Sequence, residues 1–177
     1  MSPRSALPLR HEFVVLGLIH RHPAHGYELM QQWNEDNGIA LVWRLKPGLL
    51  YAALEKLERM DFVCSRLISG SDAPDRKEYS IKPAGEAAFL DWVKTPVSSA
   101  RDFRQDFLVK WYFLQDVNSP LASELITRQV VICRKWLESL CTQRDSSYGY
   151  QSSIFQYRIY QVQGILKWLL ELSGESH

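Results

Sequence analysis

Between Val42 and Ile81 a few cationic side chains stand in two short clusters. Arg44 and Lys46 precede the pair Pro47-Gly48, and Arg76 stands beside Lys77 further along. Guanidinium and ammonium groups so placed suit phosphate neutralisation, the term that dominates nucleic-acid affinity. Tyr51 follows Gly48 by three positions and falls on the exposed turn of a helix starting at Pro47. That helix directs the positive end of its dipole outward, and its outward face reads Lys46, Gly48, Tyr51, Ala52 and Glu55. The face is small near its tip, so a groove wall can come close.

Other chemistry is thinly represented. His20, His22 and His25 straddle Pro23 with no cysteine or carboxylate at ligand spacing, so no metal site is expected. Cys64, Cys133 and Cys141 are too few and scattered for a disulfide framework and point to a reducing compartment. Cys133 and Cys141 sit eight apart on one helix and read as small buried hydrophobes before a redox switch. Glycine-rich phosphate loops, Ser-His-Asp orders and paired catalytic carboxylates are not evident, so neither an enzyme nor a cofactor is expected.

The elements that must hold these groups follow from periodicity. Helix one is expected over about Leu9 to His20 and helix two from His25 to Asn37, separated by the break at Pro23. Ile39 to Trp43 reads as a short strand. Pro47 suits the first turn of helix three, and Leu50, Ala53, Leu54 and Leu57 form its core stripe. Val63–Ile68 and Lys77–Ile81 pair as a hairpin around the turn-rich stretch Gly70 to Asp75. Ala84 to Lys94 returns as a helix, and Val97 to Ala100 reads as a linker. Helix, strand, loop, strand is the order of a winged helix-turn-helix.

The second half is helical. One stripe is Phe103, Phe107, Leu108, Trp111 and Leu114; another is Leu121, Leu125, Val131, Ile132, Trp136 and Leu140. Thr142 to Ser153 reads as a loop or frayed segment. Phe155, Ile159, Val162, Leu166 and Leu169 then recur at spacings of four and three, like a coiled-coil seam. So small a helical unit is marginal alone, so a homodimer is predicted through Phe107, Trp111, Phe155, Ile159, Val162, Leu166 and Leu169. Core packing accounts for Trp111, Trp136 and Trp168; an aromatic effector pocket at the dimer interface is the second reading.

Composition bounds the rest. The 177 residues are 46% hydrophobic, enough for a real core. Net charge is only +1, and residues 1–83 hold 11 Lys and Arg against 10 Asp and Glu. Any DNA-binding face must therefore concentrate its positive charge locally, with Arg4 and Arg10 as further contributors. The run Phe13 to Ile19 is far shorter than the roughly 20 residues of a membrane span, and no signal peptide is read, so a cytoplasmic protein is expected.

The strings His25-Gly26-Tyr27-Glu28-Leu29 and Pro47-Gly48 through Leu50-Tyr51, Ala53-Leu54 and Leu57-Glu58 resemble the PadR family of bacterial transcriptional regulators. Leu16-Gly17-Leu18, Trp43-Arg44, Val63, Arg76-Lys77, Tyr79-Ser80 and Ala84-Gly85 extend the resemblance over about residues 10 to 95. Phe107 to Lys110 and Trp168-Leu169 echo the family's helical dimerisation domain more weakly. The resemblance implies a dimeric winged-helix repressor of an inverted-repeat operator. It places Tyr51 and the residues around Pro47 at the DNA, Tyr27 supporting helix two against helix three or reaching a phosphate, and Arg76 and Lys77 on the phosphate backbone or in the minor groove. Lys46, Leu49, Ala52 and Glu55 depart from the family's usual neighbours. Leu49 can touch a thymine methyl, whereas Glu55 repels phosphate unless it accepts from cytosine or pairs with Arg59.

The expected architecture is mainly α: a winged helix-turn-helix over 1–96, with a two-stranded wing, then a helical dimerisation and effector domain over 97–177. The expected partners are a double-stranded DNA operator, a second copy and a small aromatic effector, with no membrane. The alternative function is a protein-interaction or small-molecule-sensing module with weakened DNA binding.

Overall fold

The structure is a computed structural model that describes residues 10–35, 38–68, 76–115 and 120–174. It divides into two compact units, Met1–Trp92 and Val93–His177. The predicted turn-rich stretch between the wing strands and the contributions expected of Arg4 lie outside the described residues.

The N-terminal unit is built on three helices: α1 (Arg10–Arg21), α2 (Gly26–Asn34) and α3 (Pro47–Arg59). Val14 to Leu16, Leu18 and Ile19 of α1 are buried, as are Leu29 and Trp33 of α2. All four residues of the predicted α3 stripe, Leu50, Ala53, Leu54 and Leu57, are buried with them. Each buried leucine there contributes roughly 2 kcal/mol of apolar transfer. The last helix, α4 (Pro83–Lys94), buries Phe89, and its Trp92 stacks on Phe13 of α1 at 5.3 Å. Gly85 is held tightly: a β-carbon there would lie 2.2 Å from the Phe62 carbonyl oxygen.

Two sequence expectations change here. The wing is not a two-stranded hairpin alone. Strands β2 (Val63–Ile68) and β3 (Arg76–Ile81) pair antiparallel, and β1 (Ala24–His25) adds to the outer edge of β3 in the order β1-β3-β2. Two residues beside Pro23 are too short to show a strand period. Ile39–Leu41, within the stretch read as a strand, is a 3-10 turn. The Trp33 indole N–H donates to the Trp43 carbonyl at 2.8 Å and fixes the chain that follows. Asn34 then meets both backbone groups of Leu45: its Oδ1 accepts the Leu45 N–H at 3.2 Å and its Nδ2 donates to the Leu45 carbonyl at 3.4 Å. Helix α3 therefore starts from an anchored chain.

In the C-terminal unit, α5 (Ala100–Asp102), a π-helical stretch (Phe103–Phe107) and α6 (Leu108–Phe113) follow one another directly. Ser99 caps the start, its Oγ accepting from the Asp102 N–H. Helices α7 (Pro120–Asp145) and α8 (Tyr150–Leu172) form a long hairpin. The segment read as a loop over Thr142 to Ser153 is mostly helix, with the turn confined to 146–149. Gly149, at φ +56°, supplies the left-handed backbone the turn needs.

The buried face of α7 differs from the one read from the sequence. Ala122, Leu125, Ile126, Gln129, Val130, Cys133 and Leu140 face inward, whereas Val131 is 46% exposed and Ile132 and Trp136 are half-buried. Apolar residues lie on more than one side of this helix, so period alone left its rotation undetermined. Val97 is buried, not a loose linker: Gln129 accepts its N–H at 2.8 Å and donates to its carbonyl at 3.2 Å.

Candidate nucleic-acid interface

The N-terminal end of α2 is assembled by His25. Its backbone is extended, and its N–H donates to the Glu28 carboxylate at 2.7 Å, closing the first turn. Its ring nitrogen Nδ1 donates to the Lys77 carbonyl at 3.2 Å, which ties β3, the central strand of the sheet, to the head of α2. Pro47 occupies the first turn of α3, where no N–H is missed.

Tyr51 projects from α3 back over this junction. A β-carbon at Gly26 would lie 2.9 Å from Tyr51 Cε1, so the phenol ring rests on the glycine. Tyr27, 66% exposed, and Tyr51, 51% exposed, line one cleft of about 610 Å³ with Arg76 and Lys77; His25, Gly26 and Tyr79 complete it. Four of the ten predicted contact residues therefore meet in a single concave, phenolic and cationic surface. Lys46, Gly48, Leu49, Ala52 and Glu55 lie exposed on α3 or at its start, outside the cleft, with Leu49 44% exposed. Arg44 is exposed just before them. A β-carbon at Gly48 would meet nothing within 4 Å, so the space at the tip is open. Among the described residues Glu55 forms no ion pair with Arg59.

Three members of this site carried no signal beyond their place in a motif or strand. Gly26 supplies the flat seat for Tyr51. Glu58, on α3, accepts the Ser65 hydroxyl of β2 at 2.5 Å and lies 3.9 Å from Lys77 Nζ of β3. It joins the presented helix to both wing strands and partly offsets the Lys77 charge. Tyr79 is buried at the back of the cleft. Burial first, and the Glu58 carboxylate second, raise its pKa.

The remaining predicted residues are dispersed. His20 faces Glu86 at 3.4 Å, His22 meets the Pro23 carbonyl and Gln32, and His25 meets Lys77. Among the described residues no group of His, Cys, Asp or Glu could hold a metal ion. Cys133 is buried, and burial pushes its thiol up to about 11, away from the reactive thiolate. Of the residues expected at a dimer interface, Phe107, Ile159, Val162 and Leu169 are buried within the C-terminal unit itself, while Trp111, Phe155 and Leu166 are half-buried. Trp111 and Trp168 do meet, at 6.3 Å between centroids, but Phe103 and Phe107 pack against Trp168 as well. Trp136 is elsewhere, its indole N–H donating to the Ser98 carbonyl. Among the described residues Trp111 packs on Trp168, whereas Trp136 lines a cleft with Leu140 and Val162. No helix among the described residues is long and apolar enough to cross a membrane.

The chain is similar to known regulators of transcription. Residues 15–91 match the family model of the transcriptional regulator PadR-like family. The chain is 24% identical over 119 residues to the negative transcriptional regulator PadR of Bacillus subtilis, a match spanning 67% of this chain and 64% of that protein. It is 29% identical over 79 residues to a probable transcriptional regulator of Mycobacterium tuberculosis, spanning 45% of this chain and 41% of the other. The chain thus aligns with less than two thirds of either relative. The crystal structure of Bacillus subtilis PadR in complex with operator DNA is similar at a TM-score of 0.48 and 19% identity, covering 93% of this chain and 97% of that one. The same regulator with p-coumaric acid gives a TM-score of 0.43, again at 19% identity, covering 97% and 98%. Residues 15–91, the heart of the winged-helix unit, thus resemble the PadR-like family of transcriptional regulators.

Proposed function

We propose that the chain is a sequence-specific DNA-binding regulator of transcription, a repressor that acts in the cytoplasm as a homodimer on an inverted-repeat operator. The observation that carries this reading is the cleft in which Tyr27, Tyr51, Arg76 and Lys77 converge beside the exposed face of α3. It offers cations for phosphate and a presented helix of the size a major groove admits. Local concentration of charge answers the near-zero net charge of the whole chain. In a dimer the two α3 helices would enter major grooves about one helical turn apart. Because Phe107, Ile159, Val162 and Leu169 are core residues, the second copy meets the half-buried Trp111, Phe155 and Leu166 and the side of α8 that exposes Tyr157 and Tyr160.

Gel shift with the DNA upstream of the chain's own gene, at two salt concentrations, tests the reading. Specific retardation that weakens steeply with salt supports it; equal retardation of unrelated DNA overturns it. Glu55, which forms no ion pair among the described residues, and the exposed Leu49 favour a second reading, an interaction module with weakened DNA binding. Absence of any shift, with a folded dimer in sedimentation, selects that one.

A further inference from the structure

Two clefts of the C-terminal unit run into each other. The smaller, about 260 Å³, has Trp136, Leu140 and Val162 as its apolar wall. The larger, about 1110 Å³, has Phe103, Leu108 and Ile165. Both are lined by Ser99, Ala100, Arg158 and Gln161, so they form one groove with Arg158 at the junction. Arg101 and Arg104 line its larger part. Among the described residues no hydrogen bond or ion pair engages Arg101, Arg104 or Arg158. The one carboxylate in the wall, Asp102, accepts the Ser99 hydroxyl at 2.8 Å. Three guanidinium groups against one carboxylate leave two positive charges facing a groove whose lining mixes apolar side chains with serine and glutamine. Phe103 belongs to the π-helical stretch, a distortion that recurs at functional sites.

A second copy of this chain is a poor occupant. Two-fold pairing of this face would set its arginines against the same arginines. A mononegative ligand would leave half the excess charge unanswered. We propose that the groove binds a small organic dianion with a flat apolar head, the chemistry shared by aryl phosphates and nucleoside phosphates. The phosphate lies among the three guanidinium forks, which match its oxygens in pairs. The flat head lies toward Trp136 and Leu140. A groove of this size accommodates such a molecule. The inference stands apart from DNA binding and from the tryptophan trio expected of an effector pocket.

Calorimetric titration of the full chain with 1-naphthyl phosphate tests it, with 1-naphthol and inorganic phosphate as controls. Naphthyl phosphate should bind at least about tenfold more tightly than either control. Arg158→Gln should weaken it by about tenfold, the scale of one charge-assisted contact. Arg134→Gln, an exposed arginine of α7 that does not line the groove, should leave the affinity unchanged. All variants should keep the parent's melting temperature, because these side chains are exposed. Equal binding of naphthol would reduce the site to an apolar cleft, and equal binding of phosphate to a general cationic patch. Equal losses in the two arginine variants, or no binding by any probe, would also overturn the proposal.

Discussion

The ring of Tyr51 lies across Gly26, with Cε1 2.9 Å from the place a β-carbon would take. Two helices therefore share one contact at the front of the cleft. Gly26→Ala pushes the phenol aside while adding only a methyl group at the start of α2. Operator affinity should fall by about tenfold, 1.4 kcal/mol, while melting temperature changes little. In a double-mutant cycle Gly26→Ala and Tyr51→Ala should be strongly non-additive in gel shift. Strict additivity would show that the ring does not transmit the effect.

The wing supplies charge unequally. Arg76 is exposed, whereas Lys77 lies 3.9 Å from Glu58. Replacing both by Ala should lower the slope of log affinity against log salt by about 2, since each lost phosphate contact removes about 0.9. Arg76→Ala should account for the larger share. Affinity measured from low to high salt decides it, and an unchanged slope refutes the role of the wing.

Gly85 packs where no side chain fits. Its would-be β-carbon meets the Phe62 carbonyl oxygen at 2.2 Å, the same oxygen that accepts the Lys82 N–H at 2.9 Å. Gly85→Ala must move backbone and should cost about 3 kcal/mol. Urea denaturation measures this, and a loss below about 0.5 kcal/mol, typical of a surface change, would contradict the packing.

Lys110 is buried and its ammonium donates to the Thr95 carbonyl. Burial lowers its pKa to about 8, against which the nearby Asp106 acts. The unfolded chain thus holds this proton more tightly than the folded one. Stability from this group is lowest below pH 8, rises through the window from about 8 to 10.5, and is level above it. The shift corresponds to about 3 kcal/mol at 1.4 kcal/mol per unit. The stability of Lys110→Met relative to the parent should fall by about that amount between pH 7 and pH 10.5. Denaturation of both proteins at the two pH values tests the sign.

Legibility in the sequence followed the strength of the local signal. Helix α3 was readable because Pro47 marks its start and four apolar residues keep one period; all four are buried. The strand pair β2–β3 was readable from alternation and the turn residues between. Strand β1 was hidden because two residues have no period, and the apolar run at Ile39 was ambiguous until Trp33 and Asn34 fixed the chain beyond it. The rotation of α7 was hidden by apolar residues on several sides. The cleft was legible in its exposed members, Tyr51, Arg76 and Lys77. Its supporting residues, Gly26, Glu58 and Tyr79, act through contacts across distant elements, which spacing alone does not encode.

Asn34 and Gln129 do the same thing in different units: one amide meets the N–H and the carbonyl of a single residue, Leu45 or Val97. For anyone redesigning the protein this divides the positions sharply. Leu45 and Val97 are recognised by their backbones, so other apolar side chains of similar volume can replace them. Asn34 and Gln129 have no shape-matched substitute. Asp or Glu keeps the outline but turns a donor toward a carbonyl into a second acceptor, leaving two oxygens facing each other. The interchangeable residues are the ones being held, and the fixed ones are those that hold them.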